Sequence, residues 1–488
     1  MGGRNVIDLV GTMSGVQRGG RDNTFAIFAG NRSSGVTTTR DGVSVNDTRH
    51  NDVGAMAVTY TSPDLVEEVR VIASPADAEL GRGTAQVQMA TRAGTNQFRG
   101  SLFWTNRNSA LDASNWFNNF SRIDKDYSNR NQFGGRLGGP IIKNKTFFFF
   151  LYDGQRFATR DTVVGNVLTP QARQGIFRYF PGVQSGNAVS NNPTVDLAGN
   201  PVTPRGASGP LSSFSVFGRD PLRPGFDTSG WVQLALSRMP MPNDYTVGDG
   251  LNTAGIRWTR HRRDIDNNQG TSPNTNRDNF NLRLDHNFNS NNKLFFTGTR
   301  EWDISDLQIA PWPGGYGGYF RRRPSILTAS LVSTLSPRIV NEFRFGQRRQ
   351  VLIALSGFER PDGRGPEAFS LLPRNNKIPY VPKTVEFTEN FIFGGFNGTR
   401  GNDAPRWSFA DSLSWTKGHH AFKVGGELGI TKALGYTNQR VYPYVELGPG
   451  GVPVTGIDAV AIPGLDAGQH SRAIERHHFR ASRLRTAL

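Results

Sequence analysis

The chain has 488 residues, of which 36% are hydrophobic, and it carries a formal net charge of +16 with no cysteine. The lack of cysteine excludes zinc–thiolate sites, iron–sulfur clusters, thiol nucleophiles and disulfides. No run of about 18 apolar residues occurs, so we expect no transmembrane helix.

Residues 1–95 predict a small α+β unit. Short apolar runs at 69–72 and 85–89 have the composition and length of strands. Pro63 precedes the segment 64–68, where we expect one helical turn, because proline suits the first position of a helix.

From residue 96 onward, apolar and aromatic residues alternate with polar ones. Phe280, Leu282 and Leu284, for example, share one parity, so they lie on one face of a strand. Each strand therefore has one apolar face and one polar face. The segments with this pattern are 98–105, 129–139, 146–156, 277–288, 293–302, 325–335, 339–349, 406–416 and 421–431.

The connections between these strands alternate between short turns and long segments. Transmembrane β-barrels connect strands in this way, with short periplasmic turns and long outer loops. A soluble sandwich shows the same alternation along its strands, but a soluble domain rarely carries several loops above about 15 residues. We therefore predict an antiparallel transmembrane barrel over 96–435. Its long loops lie at 106–128, 157–276 (the largest, with a short helix near 171–179), 304–323 and 353–404.

Enzymatic motifs are missing from the sequence, and no pair of carboxylates suggests acid–base chemistry. The histidine pairs 419–420 and 477–478 consist of adjacent residues, which point to opposite faces of a strand and make no natural chelate. We therefore expect no catalytic site, no metal and no cofactor. The charge of +16 admits a polyanion partner, but no recognition motif accompanies it, so we expect no nucleic-acid binding.

Two stretches near the N-terminus carry a family resemblance. Residues 31–48 contain the step Asp41-Gly42-Val43, and residues 66–72 form a strand followed by a turn and a glycine-rich step. These stretches resemble the plug domain of TonB-dependent outer-membrane receptors. The motif positions in this resemblance are Asp41, Gly42, Pro75, Gly81 and Gly83.

The stretches 91–102, 108–117 and 134–149 are similar to the Oar-like subgroup of these receptors. The resemblance is dense over residues 1–160 and thins to a strand pattern over 277–435. It implies a mainly β fold, in which a partial α+β plug domain over 1–95 is followed by the first part of an antiparallel transmembrane β-barrel.

The family barrel has about 22 strands, whereas nine are expected here, and barrels of single bacterial chains have even counts. No signal peptide is visible either. We therefore expect a fragment whose plug is truncated at its N-terminus. We expect residues 436–488 to form a loop and an irregular tail, read out of frame.

The resemblance implies that the full-length parent imports an unidentified solute across the bacterial outer membrane, as a monomer surrounded by outer-membrane lipid. A TonB-type coupling protein would supply the energy. Two alternatives stay open: a surface adhesion or structural barrel without transport, and a soluble polyanion-binding β-protein.

Three consecutive arginines, Arg321, Arg322 and Arg323, stand just before a predicted strand. Because arginine forks bind phosphate well, one hypothesis is contact with lipopolysaccharide phosphates. The alternative is a solvated charge run in a loop.

Overall fold

A computed structural model of the chain describes a defined set of residues. They are 5–10, 12–19, 25–28, 35–46, 57–72, 85–114, 116, 119, 125, 127–183, 192–217, 225, 236–237, 239–262, 276–306, 319–355, 381–383, 400–437 and 444–446. Among them, no helix is both long and apolar enough to cross a membrane.

The N-terminal unit consists of a short helix and small strands. Its elements are α1 (Val6–Val10), β1 (Val16–Gly19), β2 (Phe25–Phe28), β3 (Val36–Arg40), β4 (Val43–Ser44), β5 (Val66–Ile72) and β6 (Ala85–Thr91). Strands β1 and β2 form an antiparallel pair. The other four form a sheet in the order β4-β3-β6-β5, in which β3 and β6 run parallel. Val10, Val36, Ala85 and Val87 form a small apolar core beside it.

The strands predicted at 69–72 and 85–89 are confirmed as parts of β5 and β6. The helical turn predicted at 64–68 is wrong, because strand β5 already begins at Val66 and pairs there with β6. The valines of β5 favour a pleated, half-buried strand over a helix.

The rest of the described chain is dominated by strands. They are β7 (Arg99–Asn108), β8 (Tyr127–Ile142), β9 (Thr146–Leu168), β10 (Ile176–Tyr179), β11 (Ser212–Ser215), β12 (Thr253–Arg262), β13 (Asn276–Asn287), β14 (Asn292–Asp306), β15 (Tyr319–Arg322), β16 (Ser325–Ser336), β17 (Ile339–Leu355), β18 (Val381–Lys383), β19 (Arg400–Lys417), β20 (His420–Thr431), β21 (Leu434–Thr437) and β22 (Tyr444–Glu446). A 3₁₀ turn (Ser109–Leu111) and helix α2 (Pro170–Arg173) interrupt them.

Twelve of these strands form one large sheet. Its main path is β7-β8-β9-β13-β14-β16-β17-β19-β20, with every neighbouring pair antiparallel. All nine predicted segments lie on this path, and most of the strands extend beyond the predicted bounds. Strands β12, β15 and β21 pair with the far parts of β9, β14 and β19.

The predicted alternation of connections is confirmed. Strand pairs β8–β9, β13–β14, β16–β17 and β19–β20 are joined by turns of two to four residues, all at one end of the sheet. Asn144 and Gly418 take positive φ angles of 60° and 58° in two of these turns. The long connections lie at the other end, which we call the upper end.

The two faces of the sheet have the opposite polarity to that of a soluble protein. On β13, Arg277, Asn279 and Asn281 are buried on the concave face, whereas Phe280 and Leu282 are each 38% exposed on the outer face. Barrels of the outer membrane alternate in this sense, with polar residues inside and apolar residues toward lipid.

Aromatic rings form a row across four strands of the outer face. The ring centroids of Phe133 and Tyr152 lie 6.2 Å apart, those of Tyr152 and Phe280 lie 5.0 Å apart, and those of Phe280 and Trp302 lie 5.5 Å apart. Such rows mark the boundary between membrane and water. Trp415 lies near the opposite end, beside a short turn, and is 39% exposed.

The largest predicted loop, 157–276, is more ordered than the sequence indicates. Strand β9 continues to Leu168, and β12 pairs with it from Thr253 to Arg262, so the wall rises above the rest of the sheet. Strands β10 and β11 form a separate hairpin there.

The helix predicted near 171–179 is confirmed only to Arg173. Gly175, with φ of +76°, ends it, and strand β10 follows. Phe177 in β10 packs on Phe214 in β11, with ring centroids 5.2 Å apart. Of the predicted tail 436–488, residues 438–443 and 447–488 lie outside the described residues.

Candidate functional site

The N-terminal unit lies against the concave face of the large sheet, and the contact between them is the candidate functional site. Part of this contact is apolar: Phe149, Leu151 and Ile326 of the sheet form one buried cluster with Val45, Val58 and Leu65 of the unit. The rest is polar, and we call it the seam.

Tyr60 of the N-terminal unit contacts three strands in the seam. Its backbone N–H donates to Glu301 Oε2 at 2.9 Å, and its hydroxyl accepts from Gln132 Nε2 at 2.7 Å. The guanidinium carbon of Arg277 lies 3.5 Å from the centroid of its ring, in a cation–π contact. One residue of the unit is thus held by β8 and β13 through its side chain and by β14 through its backbone.

The sheet residues around Tyr60 also contact one another. Arg277 Nη2 lies 3.6 Å from Asp153 Oδ1, and both side chains are fully buried. Gln132 Nε2 donates to both carboxylate oxygens of Asp153 at 3.1 Å. Asn279 Nδ2 donates to Glu301 Oε2 at 2.7 Å. Buried charges require such pairing, because burial without a partner is costly.

Arg322 makes a second bridge to the unit. Its Nη1 lies 2.8 Å from Asp303 Oδ2, and its Nη2 donates to the carbonyl oxygen of Val58 at 3.0 Å. The Arg322 side chain is fully buried on the concave face, so it does not reach outer-leaflet lipid. The predicted lipopolysaccharide contact therefore has to be corrected at Arg322, and it stays a prediction at Arg321 and Arg323.

Asp41, from the predicted motif, joins strands within the unit and the unit to the sheet. Its carboxylate accepts from Thr91 N at 2.8 Å and from Thr91 Oγ1 at 2.7 Å, and it also accepts from Thr297 Oγ1 at 3.2 Å. Arg283 Nη1 lies 3.9 Å away. Asp41 has a φ of 51°, a conformation that aspartate tolerates better than most residues.

Gly42 follows with a φ of +77°, and its carbonyl accepts from Arg344 Nη1 at 3.3 Å. The reversal Asp41-Gly42 therefore faces the wall of the sheet. Pro75, Gly81 and Gly83 of the same predicted motif lie outside the described residues.

Arg40 adds a further charge from the N-terminal unit to the seam, where its Nη2 donates to Thr299 Oγ1 at 2.9 Å. Burial lowers the pKa of the Arg40 guanidinium, and the negative charges of Asp41 and Glu301 oppose that shift.

Among the described residues, several buried polar atoms of the seam have no hydrogen-bond partner. They include Arg40 Nη1, Thr59 Oγ1, Thr61 Oγ1, Glu301 Oε1 and the three guanidinium nitrogens of Arg277. Each such group costs about 1–3 kcal/mol relative to a paired one. The seam is therefore held less firmly than its number of polar side chains suggests.

No sequence motif groups Arg277, Glu301, Asp303 and Arg322. For Arg277, Glu301 and Asp303 the available signal is parity, because each lies on the polar parity of a strand whose other parity is largely apolar. Among the described residues, no three His, Asp or Glu side chains come together as a metal site.

Comparison with known proteins bears on this arrangement. A family model described as TonB-dependent Receptor Plug Domain matches residues 1–86, and one described as Outer membrane beta barrel domain matches residues 90–448. The chain belongs to the TonB-dependent receptors of the outer membrane. The N-terminal unit is the plug of this receptor, the large sheet is barrel wall, and the receptor resides in the bacterial outer membrane.

Individual proteins are also similar to this chain. The TonB-dependent transporter Oar of Myxococcus xanthus is 32% identical over 118 residues, which is 22% of this chain and 10% of that protein. The outer membrane transporter YddB of Escherichia coli has the same fold, with a TM-score of 0.50 at 10% identity, over 91% of this chain and 48% of that one. The ferric enterobactin receptor PfeA of Pseudomonas aeruginosa has a TM-score of 0.44 at 13% identity, over 88% and 47%. The chain thus spans about half the length of these solved receptors.

Proposed function

We propose that the full-length receptor takes up a solute across the outer membrane, and that its plug shifts along the seam when a TonB-type coupling protein acts from the periplasm. The observation that carries this proposal is the polar character of the seam. The plug is held by Tyr60, Arg40 and Asp41 through hydrogen bonds and charges, beside a limited apolar cluster.

Polar contacts suit an interface that has to open. Separating two apolar surfaces in water costs about 25 cal/mol for each Å² of apolar surface that becomes exposed. When a hydrogen bond breaks in water, its donor and acceptor form hydrogen bonds with water instead, so the net free-energy cost is about 0.5–1.5 kcal/mol. The unpartnered atoms of Arg40 and Glu301 gain solvent partners on opening, which lowers the free energy needed for plug movement.

The first test follows plug exposure and needs no knowledge of the solute. The chain has no cysteine, so Val45→Cys places a single thiol within these 488 residues of the full-length receptor, at a position that is fully buried against the barrel. In energised cells, we expect a membrane-impermeant maleimide admitted to the periplasm to label this thiol faster when the coupling protein is present. Leu9→Cys, at a plug position that is 51% exposed, is the control and should label at one rate in both strains.

A second test links plug movement to uptake. A Cβ at Gly346 of β17 falls 2.5 Å from Val43 Cγ1 of the plug, so the pair Val43→Cys and Gly346→Cys is close enough for a disulfide. We expect the oxidised pair to stop receptor-dependent depletion of solutes from the growth medium, and a reductant to restore it. The two single-cysteine variants report any effect of the substitutions themselves.

Two results would contradict the proposal. Equal labelling of Val45→Cys with and without the coupling protein would show that the plug does not respond to it. Cell adhesion that depends on the receptor, with no solute depletion, would favour a structural barrel instead.

A further inference from the structure

Arginines from three neighbouring strands converge on the outer face of the barrel near its upper end. In the strand register, Arg300 of β14 and Arg349 of β17 both lie opposite Ser325 of β16, one on each side. They therefore belong to the same row of outward side chains, about 10 Å apart across two strand spacings.

Two members of the arginine run extend this group. Arg321 alternates with the inward, buried residues Phe320 and Arg322, so it faces outward. Arg323 is exposed, and its backbone N–H donates to the carbonyl of Val351 at 2.9 Å. We call Arg300, Arg321, Arg323 and Arg349 the arginine patch.

The patch concentrates positive charge. Arg323 and Arg349 lie near enough to Arg300 to repel it electrostatically. Asp403 pairs with Arg349, whose Nε donates to Asp403 Oδ1 at 2.8 Å. Like charges gathered on a surface destabilise a protein unless an anion compensates them.

The height of the patch matches the boundary of the membrane. Arg349 stands ten residues above Ile339, the first residue after a short turn. A tilted strand rises about 2.5 Å per residue along the membrane normal, so Arg349 lies about 25 Å above the turn, which is the height of the apolar band of such barrels. The guanidinium carbon of Arg300 lies 5.5 Å from the ring centroid of Trp302, a member of the aromatic row.

Apolar side chains accompany the patch. Arg321 lies opposite Ile304 on one side and Ile353 on the other. Guanidinium groups flanked by apolar residues at this height meet both parts of a lipid, its phosphate and its acyl chains.

We propose that the arginine patch binds the phosphate groups of the phosphorylated glycolipid in the outer leaflet of the outer membrane. Arginine presents two parallel N–H donors to phosphate, which makes it suited to this ligand. The site differs from the consecutive run in the sequence: Arg322 is turned inward, while Arg300 and Arg349 come from other strands.

The test measures binding of diphosphoryl lipid A to the full-length receptor in detergent micelles by native mass spectrometry. We expect the triple variant Arg300→Gln, Arg323→Gln and Arg349→Gln to bind at least about tenfold more weakly, and the matching triple lysine variant to lose less, because it keeps the charge. Arg338→Gln, at an exposed position in the short turn between β16 and β17 at the other end of the barrel, is the control and should bind like the unchanged receptor.

We expect lipid A that lacks both phosphates to bind weakly, and with the same affinity, to the unchanged receptor and to the triple glutamine variant. Equal affinity of those two proteins for the diphosphoryl lipid, with the circular dichroism of both unchanged, would overturn the proposal. So would displacement of the diphosphoryl lipid by millimolar inorganic phosphate, since that would show a site for a free anion.

Discussion

Arg322 shows how one residue couples plug and barrel. Its guanidinium is shared between Asp303 on the neighbouring strand and the Val58 carbonyl of the plug, and neither charged side chain contacts water. A buried ion pair of this kind adds little net stability compared with apolar residues, but removing one partner leaves a buried charge without its counter-charge, which is strongly destabilising.

Substitution of Arg322 therefore has an expected pattern. Arg322→Ala removes the buried ion pair with Asp303, and we expect it to cost about 3–5 kcal/mol of unfolding free energy. The double variant Arg322→Met with Asp303→Leu should recover much of that loss. Denaturant unfolding in micelles, followed by tryptophan fluorescence, measures both.

The matched control is the exposed pair Arg349–Asp403, whose side chains are 46% and 30% exposed. Solvent screens it, so Arg349→Met should cost only about 0–1 kcal/mol. Similar losses at the buried and the exposed position would contradict the assigned burial of Arg322.

The sequence shows the three arginines at 321–323 but not their directions. Each is an arginine, so the run has no alternation from which to read a face. The inward parity is set by Phe320 and Leu352, which pack together with Ala354 on the concave face. That contact depends on pairing between strands far apart in the chain.

At the scale of elements, the linker between the plug and the barrel wall needs a residue without a side chain at position 94. A Cβ at Gly94 falls 2.9 Å from the backbone N of Phe148 and 2.9 Å from the carbonyl oxygen of Gly139, so it meets backbone atoms of β8 and β9. These atoms belong to the sheet and cannot move aside independently.

We expect Gly94→Ala to cost about 1–3 kcal/mol of unfolding free energy, as overpacking does in other proteins. Gly426→Ala on β20, where a Cβ meets nothing within 4 Å, serves as control and should change stability by less than about 0.5 kcal/mol. The two substitutions are compared in the same unfolding assay, and a neutral result at Gly94 would mean that the linker lies away from the wall.

The strands were largely predictable because a period of two, sustained over about ten residues, is typical of a β-strand with two unlike faces. The upper extensions of β9 and β12 were not. There, adjacent residues such as Val167 and Leu168 are both buried, so no single apolar parity marks the strand, although the pairing from Leu168 to Thr159 continues.

At the scale of the whole molecule, the sheet carries its polar residues inside and its apolar residues outside. The plug fills part of the concave side, and the aromatic row marks the upper edge of the apolar surface. This inversion follows from the solvent, because lipid cannot pair polar groups.

Arginine substitutions on the two faces test this orientation. Leu282 faces outward on β13, five residues from the end of the strand at a short turn. In lipid vesicles we expect Leu282→Arg to lower folding stability by about 2–4 kcal/mol. Ser412, five residues from the end of β19 at its short turn and on the inward parity, is the matched control, and Ser412→Arg should cost less than about 1 kcal/mol, beside Glu342.

The contacts of the seam could not be predicted from the sequence for a related reason. Which polar residues of the wall meet Tyr60 or Arg40 depends on how deep the plug sits, and no local pattern encodes depth. Asp41 and Gly42 were found because the step Asp41-Gly42-Val43 resembles the plug motif of the family, and the structure shows that these two residues form a reversal with positive φ.

Only seven residues separate the end of β6 at Thr91 from the start of β7 at Arg99. They span at most about 25 Å even when fully stretched. This short linker joins the periplasmic end of the barrel wall to β6, the strand that lies between β3 and β5 in the plug sheet. The linker therefore keeps the plug beside the barrel wall at β6, so that any displacement of the plug is a rotation about this tether or an unfolding of the strands farthest from it.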